Sequence, residues 1–236
     1  MPVFRSIVFS AVLAGLIVGA FISVVQFFGT VPLIQQSEVY ERKSAVPAPA
    51  PAAHAHGDHA DKNKGSESEW EPEPGFQRNA FTFAANILTA IGFALLLTGI
   101  YAIRGGTVPW REGMFWGLAG FAVFTVAPSL GLPPELPGMP VADLTARQVW
   151  WIGTAAATAI ALWLWFFRSE SWAAVLGLAL IVLPHLIGAP VAPEFHGDVP
   201  AALSHRFVVV VTVTSLVFWV FLGVCSSITF GRTGAR

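Results

Sequence analysis

Five metal-ligating side chains crowd into eight residues of this chain, in the run His54-Ala55-His56-Gly57-Asp58-His59-Ala60-Asp61. Neutral imidazole and carboxylate suit divalent ions such as cobalt, nickel and zinc, whereas thiolate and thioether select Cu(I). Exchangeable metal capture by His54, His56, Asp58, His59 and Asp61 is one reading of the run. A solvated linker whose histidines bind nothing is the other.

A second constellation lies further along, where Pro184-His185 is followed by Glu194, His196, Asp198 and His205. Proline in a helix removes a backbone hydrogen bond, here leaving the Leu180 carbonyl without its usual donor. An ionisable group inside a membrane span is costly unless it is paired or faces water, which makes His185 a candidate ligand. Its place near a span end also suits a satisfied structural histidine. A third region, Ala127 to Pro140, holds five prolines and two glycines in a stretch expected to be irregular. Glu135 there is either an oxygen ligand or part of a rigid cap.

Other chemistry is weakly supported. No G-x-x-x-x-G-K-[ST] phosphate loop is present, so nucleotide hydrolysis by that means is excluded. A membrane metal hydrolase built on His185, Glu194 and His196 finds no H-E-x-x-H pair or nucleophile motif, so no enzyme is expected. Cys225 is alone and the three methionines are scattered, so neither a disulfide nor a Cu(I) site is indicated. Nothing points to nucleic acid as a partner.

The elements that must position these residues are membrane helices. Apolar residues make up 55% of the chain and charged residues 11%, and the charges avoid six segments long enough to cross about 30 Å of hydrocarbon. These are Ile7–Phe28, Phe81–Ile103, Met114–Leu130, Val149–Phe167, Trp172–Ala189 and Phe207–Cys225. The expected fold class is an all-α integral membrane protein, a bundle of about six transmembrane helices in the lipid bilayer. With 236 residues, the chain has no room for a separate soluble catalytic domain. The apolar run of the first segment exceeds a signal-peptide core, which favours an uncleaved span.

Arg5, Arg104, Arg111, Arg168, Arg232 and Arg236 lie at alternate segment ends, against Arg147 and Arg206 in the opposite short loops. The positive-inside rule therefore predicts that both termini are cytoplasmic. All 6 histidines and twelve of the 14 acidic residues then lie outside, an asymmetry suited to handling cations. Residues 45–79 form the expected outer insert, rich in His, Pro and acids. It begins with an alternating Ala-Pro spacer that cannot build a core, after a short helix carrying Glu38 and Glu41.

Small residues at Ala11, Gly15, Gly19 and Ser23, and again at Gly113 and Gly117, are expected to let helix backbones approach. Trp150 and Trp151 are placed in an outer interfacial belt, with Trp110, Trp116, Trp163, Trp165 and Trp172 in an inner one. The short link Arg168-Ser169-Glu170-Ser171 predicts an antiparallel hairpin.

The stretch Phe121 to Gly138, containing Ala127-Pro128-Ser129-Leu130-Gly131-Leu132-Pro133-Pro134-Glu135-Leu136-Pro137-Gly138, resembles the signature of the CbtA family of bacterial membrane cobalt transporter subunits. Arg147-Gln148-Val149-Trp150-Trp151, Pro184 to Pro190 with His196, Phe4 to Phe9 and Ser37 to Glu41 extend the likeness over nearly the whole chain outside the His-rich insert. The resemblance implies cobalt uptake linked to cobalamin synthesis in the cytoplasmic (inner) membrane. It also implies a small one-span companion subunit bearing a histidine motif. The family is usually described with about five spans, whereas the arginines here favour six.

Uptake needs no nucleotide. At roughly 2.3 kcal/mol per charge per 100 mV, a divalent ion gains ~4.6 kcal/mol, about three decades of accumulation. The spans contain no carboxylate below His185, leaving Asn86, Gln26, Thr89, Thr154 and Thr158 as polar candidates. Such a sparse lining calls for the companion span, a homo-oligomer interface or a retained hydration shell. It also motivates the alternative of a non-transporting membrane subunit for metal binding or assembly.

Overall fold

A computed structural model describes residues 2–45, 72–73, 75–192 and 199–234, and all regular structure among them is helical. In chain order the helices are α1 (Pro2–Gly29), α2 (Val31–Ala45), α3 (Phe76–Arg104), α4 (Trp110–Phe121), α5 (Ala127–Ser129), α6 (Leu144–Phe167), α7 (Ser171–Ile187) and α8 (Ala201–Gly234). A π-helical turn, Ala122–Val126, joins α4 to α5. Four helices are long and apolar enough to cross a membrane, namely Val3–Gly29, Phe76–Arg104, Leu144–Phe167 and Ala201–Thr233, and Ser171–Ile187 is a shorter apolar helix. The six apolar segments read from the sequence fall on these helices, apart from a residue or two at their ends.

Helix α1 packs along α3 on one side and α8 on another, and small residues make this close approach possible. A Cβ added at Gly19 would lie 2.6 Å from the Ile87 Cα, and one at Gly15 would collide with Ile91. The second small-residue pair works the same way between α4 and α8. There a Cβ at Gly117 would strike the Trp219 backbone, and one at Gly223 would strike the Gly113 carbonyl. Without a hydrophobic drive between helices in lipid, such van der Waals contact is a main source of their association.

Aromatic rings fill the rest of this core. Trp219 is buried, with ring centroids of Phe93 and Phe124 at 4.7 and 5.4 Å. Trp116 packs against this core beside Tyr101, at 6.3 Å between ring centroids. A wide ring is well matched to the gap that glycines leave in a tightly spaced bundle.

Hydroxyl groups tie the chain ends together. Ser6 and Ser10 share hydrogen bonds of 2.7 and 2.6 Å with Thr233, and Thr229 donates to the Ser10 carbonyl at 3.2 Å. The start of α1 and the end of α8 therefore lie at one end of the bundle, where Arg104 also pairs with Glu112 at 2.9 Å.

The segment Ala127 to Pro140 is less irregular than its prolines suggest. Ala127–Ser129 continues the helix, because the π-helical turn just before Pro128 shifts the hydrogen bonding. The Ala127 N–H reaches back to the Ala122 carbonyl. A wider turn re-registers the ladder where a proline would otherwise break it. Beyond Leu130 the chain turns, and Leu136 is buried with Leu33 of α2 and Phe207 of α8. That contact packs the loop against α2 and α8.

Candidate functional site

His185 is positioned by the α6–α7 hairpin, which tryptophan clasps at both ends. Near the short link, the Trp165 indole donates to the Ala174 carbonyl at 3.2 Å, lying over Gly177, where a Cβ would collide with it. At the other end, the Trp150 indole donates to the Pro184 carbonyl, also at 3.2 Å. The Gly188 N–H reaches that carbonyl too, at 3.1 Å, and Gly188 takes φ 88°, a left-handed conformation that suits glycine at a helix end.

The His185 ring packs edge-on to Trp150, with centroids 5.8 Å apart and planes at 68°. Its Nε2 is buried and has no hydrogen-bond partner among the described residues. A buried polar atom without a partner is costly, and a metal ion is one way to satisfy an imidazole nitrogen. Trp150 also closes against the end of the proline-bearing helix, since a Cβ at Gly131 would meet its ring and the Ala189 Cβ.

The other candidates fare differently. Glu135 pairs with Arg147 at 2.8 Å, and both side chains are partly buried, so its carboxylate is already matched by a guanidinium. His205 is exposed near the start of α8. No group of three His, Cys, Asp or Glu side chains that could hold a metal occurs among the described residues, so His185, Glu135 and His205 are not brought together. His54, His56, Asp58, His59, Asp61, Glu194, His196 and Asp198 lie outside the described residues.

Within the helices, the polar candidates mostly satisfy one another. The Asn86 amide donates to Gln26 Oε1 at 2.8 Å and to Ser23 Oγ at 3.1 Å, bridging α3 to α1. Thr158 bonds back to the Thr154 carbonyl at 2.8 Å, while the buried Thr154 hydroxyl has no partner among the described residues. Thr89 is exposed on α3. Sequence reasoning did not identify the Glu38–Arg78 ion pair above the Asn86 bridge. Its only signal was a charged residue on each side of a long insert.

Long apolar helices joined by small-residue seams define this chain as a helical membrane protein. Residues 4–230 match the CbtA model, described as a probable cobalt transporter subunit, and the chain belongs to that family. No match is found among curated proteins or among solved structures.

Proposed function

We propose that this chain is the six-span membrane subunit of a cobalt uptake system, with both termini cytoplasmic and metal captured on the outer face. Membership in a family of cobalt transporter subunits supports the cargo. The observation that carries the site is the buried, unpartnered Nε2 of His185 at the corner made by Trp150 and Pro184. His196 and Asp198 complete this reading as the principal ligands, with Glu194, His205 and Glu135 secondary. His54, His56, Asp58, His59 and Asp61 act as an exchangeable collector.

Six crossings are supported by the antiparallel hairpin. The 17 residues of α7 rise about 25 Å, from the Trp165 level to the Trp150 level of α6. Helical backbone from Trp110 to Ser129 supports a further crossing. The membrane potential supplies the drive, since inward movement of a divalent ion is favoured by ~4.6 kcal/mol per 100 mV. A one-span companion or a second copy supplies the polar lining that this bundle lacks.

Uptake of radiolabelled cobalt into proteoliposomes, with and without the companion and at set membrane potential, tests the transport reading. Accumulation should be saturable and should rise with an inside-negative potential. Metal binding without accumulation under every condition would leave a binding or assembly subunit as the function. Orientation is tested by labelling Ala53→Cys in a Cys225→Ser background. Modification only after the membrane is permeabilised would refute outer capture.

A further inference from the structure

A second site lies away from His185, where α1, α2 and α3 meet. A cavity of about 410 Å³ is lined there by Gln26, Thr30, Glu38, Arg42, Arg78 and Asn79, among others. Among the described residues its charged lining is two arginines, Arg42 and Arg78, against one glutamate, Glu38. Glu38 is already paired with Arg78, and Arg42 Nε donates to the Glu38 backbone carbonyl at 3.2 Å. The Arg42 guanidinium has no carboxylate in ion-pair range among the described residues. A bare cation entering this cavity would have to displace Arg78 and face Arg42. An anion meets the Arg42 guanidinium, which leaves an excess of positive charge among the described residues, and guanidinium groups suit phosphate in particular.

The cavity continues into a groove of about 300 Å³, sharing Gln26, Val31, Asn79 and Thr82 with it. Val24, Phe27, Phe28 and Phe83 make this groove apolar. These side chains are well exposed, Phe28 at 76%. The junction is also where the apolar α1 ends at Gly29 and the charged α2 begins at Val31, a composition that fits a headgroup boundary. A soluble anion would use the cavity alone. A molecule with a phosphate and a hydrocarbon tail would use both parts.

We infer that this cavity and groove bind an anionic phospholipid of the outer leaflet, its phosphate against Arg42 and Arg78 and an acyl chain along Phe27, Phe28 and Phe83. The site goes beyond the metal reading and does not depend on it; only its assignment to the outer leaflet rests on the proposed orientation. The bound lipid would brace α2 against the α1–α3 pair at the point where the chain leaves the membrane.

The test is native mass spectrometry of the full chain in detergent, with phosphatidylglycerol or phosphatidylcholine of matched chains. The parent should retain phosphatidylglycerol preferentially. Arg42→Gln should lower that retention about fivefold, the effect of one basic residue at a lipid surface. Glu38→Gln, which removes a carboxylate from the cavity but keeps an amide oxygen for Arg78, should raise it. Equal retention of the two lipids by the parent, or phosphatidylglycerol retention unchanged in both variants, would overturn the proposal. So would displacement of the lipid by free glycerol phosphate at equal concentration, since the occupant would then be a soluble anion.

Discussion

The seams around α1 and α8 and the α6–α7 hairpin are both pairs of packed apolar helices, yet they are held by different means. Along α1–α3 and α4–α8, glycines bring backbone against backbone, and between α1 and α8 the hydroxyls of Ser6, Ser10, Thr229 and Thr233 form the hydrogen bonds. The hairpin relies on two indole clasps, and α7 leaves Val175, Leu178, Leu183 and Leu186 exposed. The first arrangement builds a scaffold that cannot accept an added methyl group. The second presents the outward face of α7 to lipid or to a partner, with His185 packed on Trp150 near its end. Under the proposed capture role, an ion site needs a place where substitution costs function without costing the fold, and the hairpin offers one.

The comparison breaks most severely at Gly223. A valine there would push its Cβ into the Gly113 carbonyl and the Gly117 backbone, neither of which can rotate away. Overpacking that forces backbone to move costs about 1–3 kcal/mol and occasionally more, and this site belongs at the upper end because both obstacles are backbone. Thermal unfolding in detergent should show a large loss for Gly223→Val. Valine at Gly153, which has open space where its Cβ would go, should change stability far less. Equal losses at the two positions would mean that the α4–α8 seam is no tighter than the hairpin.

His185→Ala should do the reverse. Losing one ligand is expected to weaken apparent cobalt affinity by about tenfold or more, judging from the effect of second-shell partners at metal sites. Thermal stability should hold or rise slightly, because the variant removes an unsatisfied buried nitrogen. Unchanged uptake with unchanged insertion would make the histidine structural and favour the assembly reading.

Trp150→Phe sharpens the same contrast. It keeps an aromatic face for His185 but removes the indole donor to the Pro184 carbonyl. Hydrogen bonds between membrane helices average roughly 0.6 kcal/mol, so a small drop in melting temperature is expected. Cobalt affinity should fall by less than in His185→Ala, because the imidazole remains but is less firmly oriented. A loss as large as that of Gly223→Val would show that the hairpin, too, is part of the rigid scaffold.

Much of the scaffold was legible because its signals are local. Helix positions follow from uninterrupted apolar runs, and Gly15, Gly19, Gly113 and Gly117 reveal close approach by their spacing. The short helix carrying Glu38 and Glu41 and the hairpin were also readable, the latter from its short link. What sequence spacing does not encode is partnership between distant residues. It gave no sign that Trp150 would hold the Pro184 carbonyl, that Glu135 would be matched by Arg147, or that Arg78 would reach Glu38. The helical turn at Pro128 was missed because a π-helical turn absorbs the lost donor, and that depends on the residues before the proline as much as on the proline itself.

The smallest effect is expected from deleting His54 to Asp61. In sequence this tract offers nothing larger than alanine to pack behind its ligands, so closing it on an ion costs chain entropy that the donors must offset. A collector of that kind raises the local supply of metal without setting the capacity of the site it feeds. Under the proposed capture role, the deletion should reduce cobalt uptake at low external metal and leave the maximal rate close to that of the parent. His185→Ala should impair uptake more at every concentration below saturation. The measurement is initial uptake rate against cobalt concentration for the parent and both variants at matched expression. If the deletion instead abolishes uptake at saturating metal, the His-rich run is the principal site, and His185 loses the role that its unpartnered nitrogen suggests.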